Sequence, residues 1–411
     1  MTEAPSTSMR KIQVAVVSPF LDKSYGTERI IIEWIARLAE EFEFHVYSQD
    51  IKDVDLSKVV WHRIPKLPGP HLANFLWWFA ANHIRRSWDR HVRGLQHDVV
   101  FSPGINCMDA DLISVHIVFG EFFRRVKPEL KLARNPVRFW PRLLHRKLYY
   151  RLIISLERRI YTGRANLLIL IAKKTAADLD RHYARREGCV VLYLGLDHAT
   201  YQPARRIALR AEARRQLNLS DERFAVLMVG NDWHKKGIRV LLDALVILRD
   251  RPVDLLIVGR EDPAPFRAMV AEKSLVNRVR FLPPRPDIEF YYAAADAYAG
   301  PSLEDTFALP PAEAMACGLP VVVSRENGVY EIIEQGVDGL ILDDPNDANG
   351  LAAFIERLLA DKEFRERMGE KAAEKANQFT WERNARDLAA MFESIARRKM
   401  ASPTHAIAEK P

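Results

Sequence analysis

One short stretch of the chain concentrates carboxylates beside backbone amides. Residues 302–320 have the sequence SLEDTFALPPAEAMACGLP, with Glu304, Asp305 and Glu313 placed around two prolines. Such carboxylates could form an acid and base pair, clamp a ligand, or only stabilise the start of a helix. Because proline is tolerated best in the first turn of a helix, we expect a helix to begin at one of the two prolines, with Glu313 in its first turn.

Two interpretations of Glu313 follow from this placement. The simpler one is that its carboxylate satisfies free amides at the helix start, a contribution of about 0.3–1 kcal/mol. The other is a ligand site, because the amides of residues 306–309 and the helix start together form a nest that suits a diphosphate. A carboxylate beside this nest can accept two hydroxyls, as a ribose diol offers. Asp305 precedes the helix and is expected to point elsewhere in the site, while Glu304 is expected to be a bystander.

Two other segments carry candidate polar residues. The sequence GNDWHKKG at 230–237 follows a strand pattern and precedes a helix pattern, so that Lys235 or Lys236 could supply a cation for a phosphate. Lysines near a helix start are, however, usually solvated. His116 ends the strand-like run LISVH. A lone histidine is often a hydrogen-bonded core residue, but its place at a strand's carboxyl end keeps a functional role equally open.

The elements that must position these residues alternate between strands and helices. In the N-terminal half, apolar strand patterns lie at 12–18, 44–48, 98–102, 112–116, 167–171 and 190–194. The pattern pauses near 201–203, and a second set follows at 224–230, 254–259, 279–282, 296–300, 320–324 and 339–343. Alternating strands and helices predict parallel, doubly wound sheets, and the fold class is therefore α/β with two Rossmann-like domains.

The same pattern predicts the domain organisation. We expect a flexible tail at 1–10, an N-terminal domain at 11–203, a C-terminal domain at 204–380, a helix at 381–400 that packs back toward the N-terminal domain, and a disordered tail at 401–411. Ligands of doubly wound sheets bind beyond the carboxyl ends of the strands, where the strand order reverses. We therefore expect the site in a cleft between the two domains.

Composition excludes several classes of protein. The 411 residues are 48% hydrophobic and 28% charged, as in soluble globular proteins, and no apolar run approaches the roughly 18 residues that span a bilayer. The first residues lack the apolar core of a secretory signal. Cys107, Cys189 and Cys317 lie far apart, which predicts a reducing, cytoplasmic location and no structural metal. The chain contains no GxGxxG, GxxxxGK[ST], HExxH or GxSxG motif.

The net charge of +7 is unevenly distributed along the chain. Residues 121–160 contain twelve Lys and Arg against three Glu, a local charge of +9, interleaved with six aromatic residues. This mixture suits the headgroup zone of an anionic membrane or a negatively charged acceptor. The alternative is a solvated basic helix pair whose aromatic residues pack into the core, and the sequence leaves both open.

Read together, the motifs resemble the retaining glycosyltransferases of family 4, which have the GT-B fold of two Rossmann-like domains facing across a cleft. The family pattern PS-xx-E-x-FG-xxxx-EAMA-x-G-xPV stands here as PSLEDTFALPPAEAMACGLPVV. The segments VGNDWHKKG, YGTER and LGLDHATYQP are similar to VGR-xxxx-KG, GGAER and NGVD-xxx-F-x-P, and GVDGLILDDPND and QFTWE resemble the closing motifs. These matches occur in order along nearly the whole chain.

The resemblance implies a role for each candidate residue. Glu313 is expected to hold the ribose of a nucleotide diphosphate sugar, and Lys236 to neutralise its diphosphate. Asp305 is expected to contact the donor sugar, while His116 lies beside that sugar and the acceptor. The remaining contacts expected with the donor come from Gly26, Asn231, Lys235, the backbone near Phe281, and the amides of Phe307, Ala308 and Leu309. Domain 11–203 is then the acceptor side and 204–380 the nucleotide-sugar side.

The chain departs from the family pattern at four positions. The arginine before the lysine is Asn231, which removes a phosphate cation and leaves Lys235 to compensate. The first glutamate is the shorter Asp305, the glycine after phenylalanine is Ala308, and the first glycine of the N-terminal pair is Tyr25. The identity of the donor sugar is accordingly less transferable than the activity.

The function expected from the resemblance is transfer of a sugar, with retention, to a hydroxyl of a glycan or lipid-linked acceptor in the synthesis of cell-envelope polysaccharide or glycolipid. No cofactor, metal or nucleic-acid partner is expected. The location would be cytoplasmic, with peripheral contact through 121–160 at the inner face of an anionic membrane. The alternatives are a GT-B sugar-nucleotide epimerase or phosphorylase, a non-catalytic homologue, and a nucleic-acid binder.

Overall fold

The chain forms two compact units. The structure, a computed structural model, describes residues 10–127, 130, 136–163 and 166–401. The N-terminal unit extends to Tyr193 and includes the chain again from Trp381, while the C-terminal unit is Leu194–Thr380. The division therefore falls ahead of the pause at 201–203. The predicted tails at 1–10 and 401–411 lie outside the described residues, apart from Arg10 and Ala401.

The N-terminal unit is an α/β layer structure with a seven-stranded sheet. Its strands are β1 (Ile12–Val17), β2 (Phe20–Leu21), β3 (Phe42–Ser48), β4 (Asp50–Ile51), β5 (Val59–Arg63), β6 (Val99–Pro103), β7 (Leu112–Val115), β8 (Leu167–Leu170) and β9 (Cys189–Val191). Its helices are α1 (Gly26–Leu38), α2 (His71–Val92), α3 (Phe119–Val126), α4 (Trp140–Tyr161), α5 (Lys173–Tyr183) and, after the C-terminal unit, α13 (Trp381–Ala401). Short 3₁₀ turns lie at Leu56–Lys58 and Val137–Phe139.

The strand order of this sheet reverses once, between two neighbouring strands. The order is β5-β3-β1-β6-β7-β8-β9, all in parallel, and β2 pairs with β4 in a separate two-stranded sheet. Strand β1 is central, and its residues Val14 to Val17 are buried because helices cover both faces of a parallel sheet. The reversal between β1 and β6 is the point where a ligand crevice forms in such sheets.

Helix α13 belongs to the N-terminal unit although it follows the C-terminal unit in sequence. The indole N–H of Trp34 in α1 donates to the side-chain carbonyl of Asn384, whose amide donates to the carbonyl of Tyr193 at 2.6 Å. The ring of Phe392 meets that of Phe101 at 5.9 Å. The amphipathic face of α13 is thus buried against α1 and the sheet.

The C-terminal unit repeats the architecture with six strands. Its strands are β10 (Phe224–Val229), β11 (Val253–Val258), β12 (Val279–Leu282), β13 (Ala297–Gly300), β14 (Val321–Ser324) and β15 (Leu340–Leu342). Its helices are α6 (Pro203–Gln216), α7 (Ile238–Ile247), α8 (Ala264–Glu272), α9 (Glu289–Ala294), α10 (Leu309–Ala316), α11 (Ala348–Ala360) and α12 (Lys362–Ala376), with a 3₁₀ turn at Gly328–Ile332.

The second sheet also reverses its strand order once. Its parallel order is β12-β11-β10-β13-β14-β15, so that β10 and β13 are neighbours although β11 and β12 separate them in the chain. Apolar residues of β10, β11 and α7 form one continuous core with α11. The prediction of two doubly wound, parallel-sheet α/β domains is confirmed. None of the helices within the described ranges combines the length and apolarity that a bilayer crossing requires.

Candidate functional site

Two of the predicted site residues meet at the strand reversal of the C-terminal sheet. Lys236 lies in the loop after β10, and Asp305 lies in the loop after β13. The ammonium group of Lys236 contacts the carboxylate of Asp305, and the two side chains are only 19% and 17% exposed. Because both are largely removed from solvent, their charges act on each other and on a nearby ligand more strongly than surface charges do.

Backbone hydrogen bonds hold the loops around this ion pair together. The amide of Leu303 donates to the carbonyl of Lys235 at 2.7 Å, which joins the loops after β10 and β13. The amide of Asp305 donates to the carbonyl of Glu326 at 2.9 Å, and that of Gly328 donates to the carbonyl of Asp305 at 3.1 Å. The loop after β14 is thus joined to the other two, and the position of Asp305 is fixed by backbone on both sides.

Glycine is required where these loops approach most closely. Gly237 has φ +87°, in the left-handed region, and a Cβ at this position would collide with the carbonyl of Pro301. Gly230 has φ +143°, and the side chain of Lys236 lies where its Cβ would point, with Cε at 3.0 Å. The two glycines that bound the segment 230–237 therefore make room for the neighbouring loop and for the lysine itself.

Glu313 occupies a different place from the one predicted. Helix α10 begins at Leu309, with Ala308 as its N-cap, so that Glu313 lies in the second turn and not in the first. Its carboxylate, 4% exposed, accepts a hydrogen bond from the hydroxyl of Tyr292 at 2.8 Å. Burial, followed by the charge of Glu313, raises the pKa of Tyr292, which keeps that hydroxyl a donor.

The start of α10 is poor in amide donors. Two of the first four positions of this helix are Pro310 and Pro311, which carry no N–H. The amides of 306–309 precede or open the helix and remain the N–H groups of the expected nest. The side chains of Phe307 and Ala308 are buried, and that of Leu309 is half-buried, which holds this backbone in place.

The remaining C-terminal candidates lie around the loop after β10. Asn231 is exposed, and its side-chain carbonyl accepts from the amide of Arg260 at 2.9 Å. The ammonium group of Lys235 pairs with Asp232 at 2.9 Å. Phe281 in β12 contacts the buried ring of Trp233 at 5.2 Å between centroids. Asn231 and Lys235 therefore flank the site, whereas Phe281 supports it from the neighbouring strands.

The N-terminal candidates are His116 and Gly26, and they belong to the other unit. His116 directly follows β7, and its Nε2 lies 3.0 Å from the hydroxyl oxygen of Ser114. Its ring is enclosed although the residue keeps some exposed surface, and burial lowers its pKa to about 4. His116 is accordingly neutral near pH 7. Gly26 is the exposed first residue of α1, with no heavy atom within 4 Å of the place where a Cβ would lie.

The N-terminal sheet carries a cavity at its own strand reversal. Its volume is about 560 Å³, and the loops after β1 and β6 contribute to its wall. Aromatic rings dominate the lining, which includes Phe20, Tyr25, Phe75, Trp78, Phe119 and Tyr149. The side-chain carbonyl of Asn74, also in the lining, is buried and has no hydrogen-bond partner among the described residues. A hydroxyl of a bound molecule could satisfy it.

Sequence reasoning missed three features of these sites. Tyr292, the partner of Glu313, lies in a short helix with no motif. Arg260 was not singled out as a site residue. It follows strand β11, which is a neighbour of β10, and topology makes the loops after such strands candidates for ligand contact. The aromatic cavity is built from segments that lie far apart in sequence. Topology is the signal that could have found the last two.

The basic window at 121–160 is divided between core and surface; residues 128–129 and 131–135 of it lie outside the described residues. Phe122, Phe123 and Tyr150 pack in a small apolar cluster, as the core interpretation expected. The 3₁₀ turn and the following helix instead expose large apolar side chains, namely Val137, Phe139, Trp140, Leu144 and Leu148. Helix α2 exposes a second set, namely Leu76, Trp77, Ile84, Trp88 and Val92.

Comparison with known proteins gives matches in both sequence and fold. Residues 210–375 match the family model described as Glycosyl transferases group 1. A D-inositol 3-phosphate glycosyltransferase of Corynebacterium glutamicum (strain R) is 33% identical over 254 residues, 59% of this chain and 60% of the relative. One from Salinispora tropica is 33% identical over 250 residues, 56% of this chain and 52% of the relative. The chain thus spans between about half and three fifths of the length of these relatives.

Solved structures with the same fold cover nearly the whole chain. The crystal structure of WaaG, a glycosyltransferase involved in lipopolysaccharide biosynthesis, matches 92% of this chain and 99% of its own with a TM-score of 0.76. Sucrose-phosphate synthase from Thermosynechococcus elongatus matches 94% and 99% with a TM-score of 0.74. Anabaena HepE, in complex with UDP and glucose, matches 94% and 100% with a TM-score of 0.70. All three are 20% identical to this chain, and the likeness establishes the two-domain fold.

Proposed function

We propose that this chain, which belongs through residues 210–375 to the glycosyl transferases group 1 family, transfers a sugar from a nucleotide diphosphate sugar to an acceptor hydroxyl with retention. The new glycosidic bond joins the acceptor oxygen to the anomeric carbon, the bond to the diphosphate oxygen breaks, and the hydroxyl proton leaves with the diphosphate. The relatives are named glycosyltransferases, and HepE was solved with UDP-glucose, which supports this class of donor.

The observation that carries the proposal is the contact between Lys236 and Asp305 at the reversal of the C-terminal sheet. A partly buried ammonium group at this edge suits a diphosphate, whose negative charge grows as the sugar departs. In the structure Asp305 neutralises this ammonium group. On donor binding, Lys236 pairs with the diphosphate instead of with Asp305. The carboxylate of Asp305 can then accept hydrogen bonds from hydroxyls of the donor sugar.

Glu313 is the proposed ribose ligand. The hydroxyl of Tyr292 donates a hydrogen bond to its carboxylate and helps to fix its position. A carboxylate has two oxygens that each accept hydrogen bonds, as recognition of a diol requires. The amides of Phe307, Ala308 and Leu309 are proposed to contact the phosphates, with Asn231 and Lys235 at the edge of the site. The backbone near Phe281 is proposed to flank the base, and Gly26 to let its loop approach the donor.

The cavity of the N-terminal unit is the proposed acceptor site. Aromatic walls suit the apolar face of a sugar ring or a lipid-linked group, and Asn74 offers an acceptor for one hydroxyl. His116 is proposed to contact the donor sugar and acceptor as a neutral hydrogen-bonding group. Because burial lowers its pKa to about 4, its imidazole ring carries no positive charge at pH 7. Synthesis of a cell-envelope polysaccharide or glycolipid would supply an acceptor of this kind.

Peripheral contact with an anionic membrane is proposed through the surface of residues 137–151. This surface combines exposed Trp140, Leu144 and Leu148 with the exposed cations Arg142 and Arg146. Apolar side chains that enter the headgroup zone, beside cations that attract anionic lipid, are the elements of interfacial binding. The protein would then act on the cytoplasmic side of the membrane.

The proposed activity is tested with donors labelled in the sugar. A panel of nucleotide sugars is first screened by thermal shift, because a bound donor stabilises the folded state. The best donor is then incubated with membrane or glycan extract, and labelled product is measured. We expect transfer with the extract and only slow hydrolysis without it. Conversion of the donor alone to an isomer would indicate an epimerase, and complete inactivity despite donor binding would indicate a non-catalytic homologue.

The membrane proposal is tested with vesicles. We expect the protein to sediment with vesicles that contain anionic lipid and to be released by salt, and the variant Leu144→Ser/Leu148→Ser to bind more weakly. Exposed Ile207 and Val276 of the C-terminal unit provide a matched control, as Ile207→Ser/Val276→Ser. Equal binding by both double variants would contradict the assignment of the surface.

A further inference from the structure

A cluster of five arginines surrounds a separate cavity near the amino ends of strands in the C-terminal sheet. Arg223 precedes β10, Arg251 precedes β11, and Arg278 precedes β12, whereas Lys236 and Asp305 follow the carboxyl ends of their strands. With a rise of about 3.3 Å per residue, a strand such as β10 separates the two edges by roughly 20 Å. Arg249 and Arg280 also line this cavity of about 300 Å³, together with Asp254 and Asn277.

Positive charge exceeds negative charge at this cavity. Among the residues that the structure describes, the only carboxylate in its lining is that of Asp254, which pairs with Arg223 at 2.6 Å. Glu356 pairs with Arg251 at 2.8 Å, and Asp250 acts on Arg278 from nearby. Within the described part of the chain, five guanidinium groups therefore face three carboxylates, which leaves an excess of two positive charges in a small volume.

The arginines are held in place by the backbone. Arg278 donates to the carbonyl oxygens of Val253, Leu248 and Leu245 at 2.9, 3.1 and 3.3 Å. The carbonyl of Val253 also accepts from Arg223 at 3.4 Å, so that two guanidinium groups share one oxygen. Carbonyl groups satisfy the N–H donors but do not neutralise the charges. The pKa of Arg278 is lowered, first by burial and then by the charge of Arg223.

The simplest explanation of Arg278 is structural, since it satisfies carbonyls at the end of α7. That explanation does not extend to Arg249, which forms no hydrogen bond or ion pair with any described residue, or to Arg251, which is 56% exposed. These two groups extend the fixed charges of Arg278 and Arg223 toward solvent. Planar guanidinium groups bind phosphate oxygens in pairs, with charge-assisted hydrogen bonds.

We propose that this arginine cluster is a binding site for a small soluble phosphate ester, distinct from the proposed diphosphate site at Lys236. A dianion neutralises the excess of two charges and bridges guanidinium groups that otherwise repel each other. Asp254 remains paired with Arg223, and the exposed guanidinium groups of Arg249 and Arg251 are the first to meet the ligand. The ligand would stabilise the edge of the sheet that the donor does not reach.

The test measures binding of inorganic phosphate by calorimetry at constant ionic strength. Because phosphate can also bind at the donor site, every variant is made in the Lys236→Ala background. Arg249→Gln/Arg251→Gln removes two exposed cations of the cluster, and Arg367→Gln/Lys371→Gln removes two ion-paired cations from α12 as the matched control. We expect phosphate to bind the background protein and the control equally, and the cluster variant at least about tenfold more weakly.

Three results would overturn the proposal. Phosphate binding that disappears with Lys236→Ala alone would assign all of it to the donor site. Equal affinity in the cluster variant and the control would show nonspecific attraction. Binding to vesicles that contain phosphatidic acid, if it depends on the arginines while no binding of inorganic phosphate is detected, would indicate that the site binds a lipid surface and not a soluble ligand. An unchanged melting temperature of the cluster variant without phosphate serves to show that its fold is intact.

Discussion

Replacement of Lys236 by alanine tests whether this ammonium group stabilises the departing diphosphate. Two opposite charges about 4 Å apart attract by about 4 kcal/mol at an effective dielectric constant of 20, the value for partly buried pairs. The exposed fractions of Lys236 and Asp305 place the pair in this class. Loss of that attraction in the transition state lowers the rate by about a thousandfold. We therefore expect kcat/KM to fall by about two to three orders of magnitude.

The alternative is that Lys236 only neutralises Asp305, and a double substitution distinguishes the two roles. In Lys236→Ala the carboxylate of Asp305 is left unpaired beside the donor phosphates and repels them. Lys236→Ala/Asp305→Ala removes this repulsion, so some activity returns, but the phosphate cation is still missing. Because Asp305→Ala alone also loses the proposed contact with the donor sugar, it is the reference for this comparison. We expect the double variant to stay at least about tenfold below Asp305→Ala.

The assay is the initial rate of nucleoside diphosphate release at saturating acceptor. Lys273→Ala is the matched control, because it breaks another lysine–aspartate pair of the same unit, with Asp243 at 2.5 Å. We expect this control to keep wild-type activity. Activity of the double variant equal to that of Asp305→Ala would refute the phosphate role of Lys236. An equal loss in Lys273→Ala would show that the assay reports stability.

Three further substitutions have outcomes set by the structure. Gly237→Ala adds a Cβ that collides with a backbone carbonyl, and we expect calorimetry to show no donor binding by this variant. Gly336 has φ +80° and open space around it, so Gly336→Ala should still bind the donor despite similar backbone strain. Tyr292→Phe removes one donor to the buried carboxylate of Glu313 and should lower stability in thermal unfolding by about 1–3 kcal/mol; no change would mean that this hydrogen bond is replaced by another. Burial raises the pKa of Glu157 from 4.5 to about 7, so the stability that its carboxyl group contributes is present below pH 4.5 and is lost as the pH rises through 7. We expect the free energy of unfolding in urea, relative to that of Glu157→Gln, to fall by about 3 kcal/mol over this range. A difference between the two proteins that stays constant with pH would contradict this prediction.

The central strands were predictable from their composition, whereas strand β5 was not. The run at Phe224–Val229 is buried throughout, and its continuous apolar sequence indicates a central parallel strand. Strand β5, Val59–Arg63, lies at the edge of the N-terminal sheet, where the burial of its residues varies along the strand. Its mixed composition, VVWHR, carries no continuous apolar run. Local pattern therefore identifies strands that carry a largely apolar run, including the edge strands β9, β12 and β15, and misses one that lacks such a run.

Local rules placed the start of α10 one or two residues too late, which moves Glu313 from the first turn to the second. Two prolines suggested the first turn, yet α10 begins at Leu309, ahead of them. The buried hydroxyl of Tyr292, which belongs to α9, binds the carboxylate from outside the helix. No periodicity in sequence encodes such a pairing between elements.

The meeting of Lys236 with Asp305 followed from topology. Both residues were placed after strands, and the reversal of a doubly wound sheet brings the loops after two such strands together. The cavity of the N-terminal unit obeys the same rule, but its aromatic wall comes from α2, α3 and α4 as well as from loops. Which helix faces reach a cavity depends on packing, and the sequence alone did not determine it.

The most direct test of the proposed donor site is photo-crosslinking with a nucleotide sugar that carries a photoreactive group on its base, followed by mapping of the labelled peptides. We expect labelling in the C-terminal unit, in the segments at 230–237 and 278–284, and its suppression by unlabelled donor and by Glu313→Ala. Specific labelling confined to the N-terminal cavity, unaffected by Glu313→Ala, would contradict the assignment of the donor to the reversal between β10 and β13.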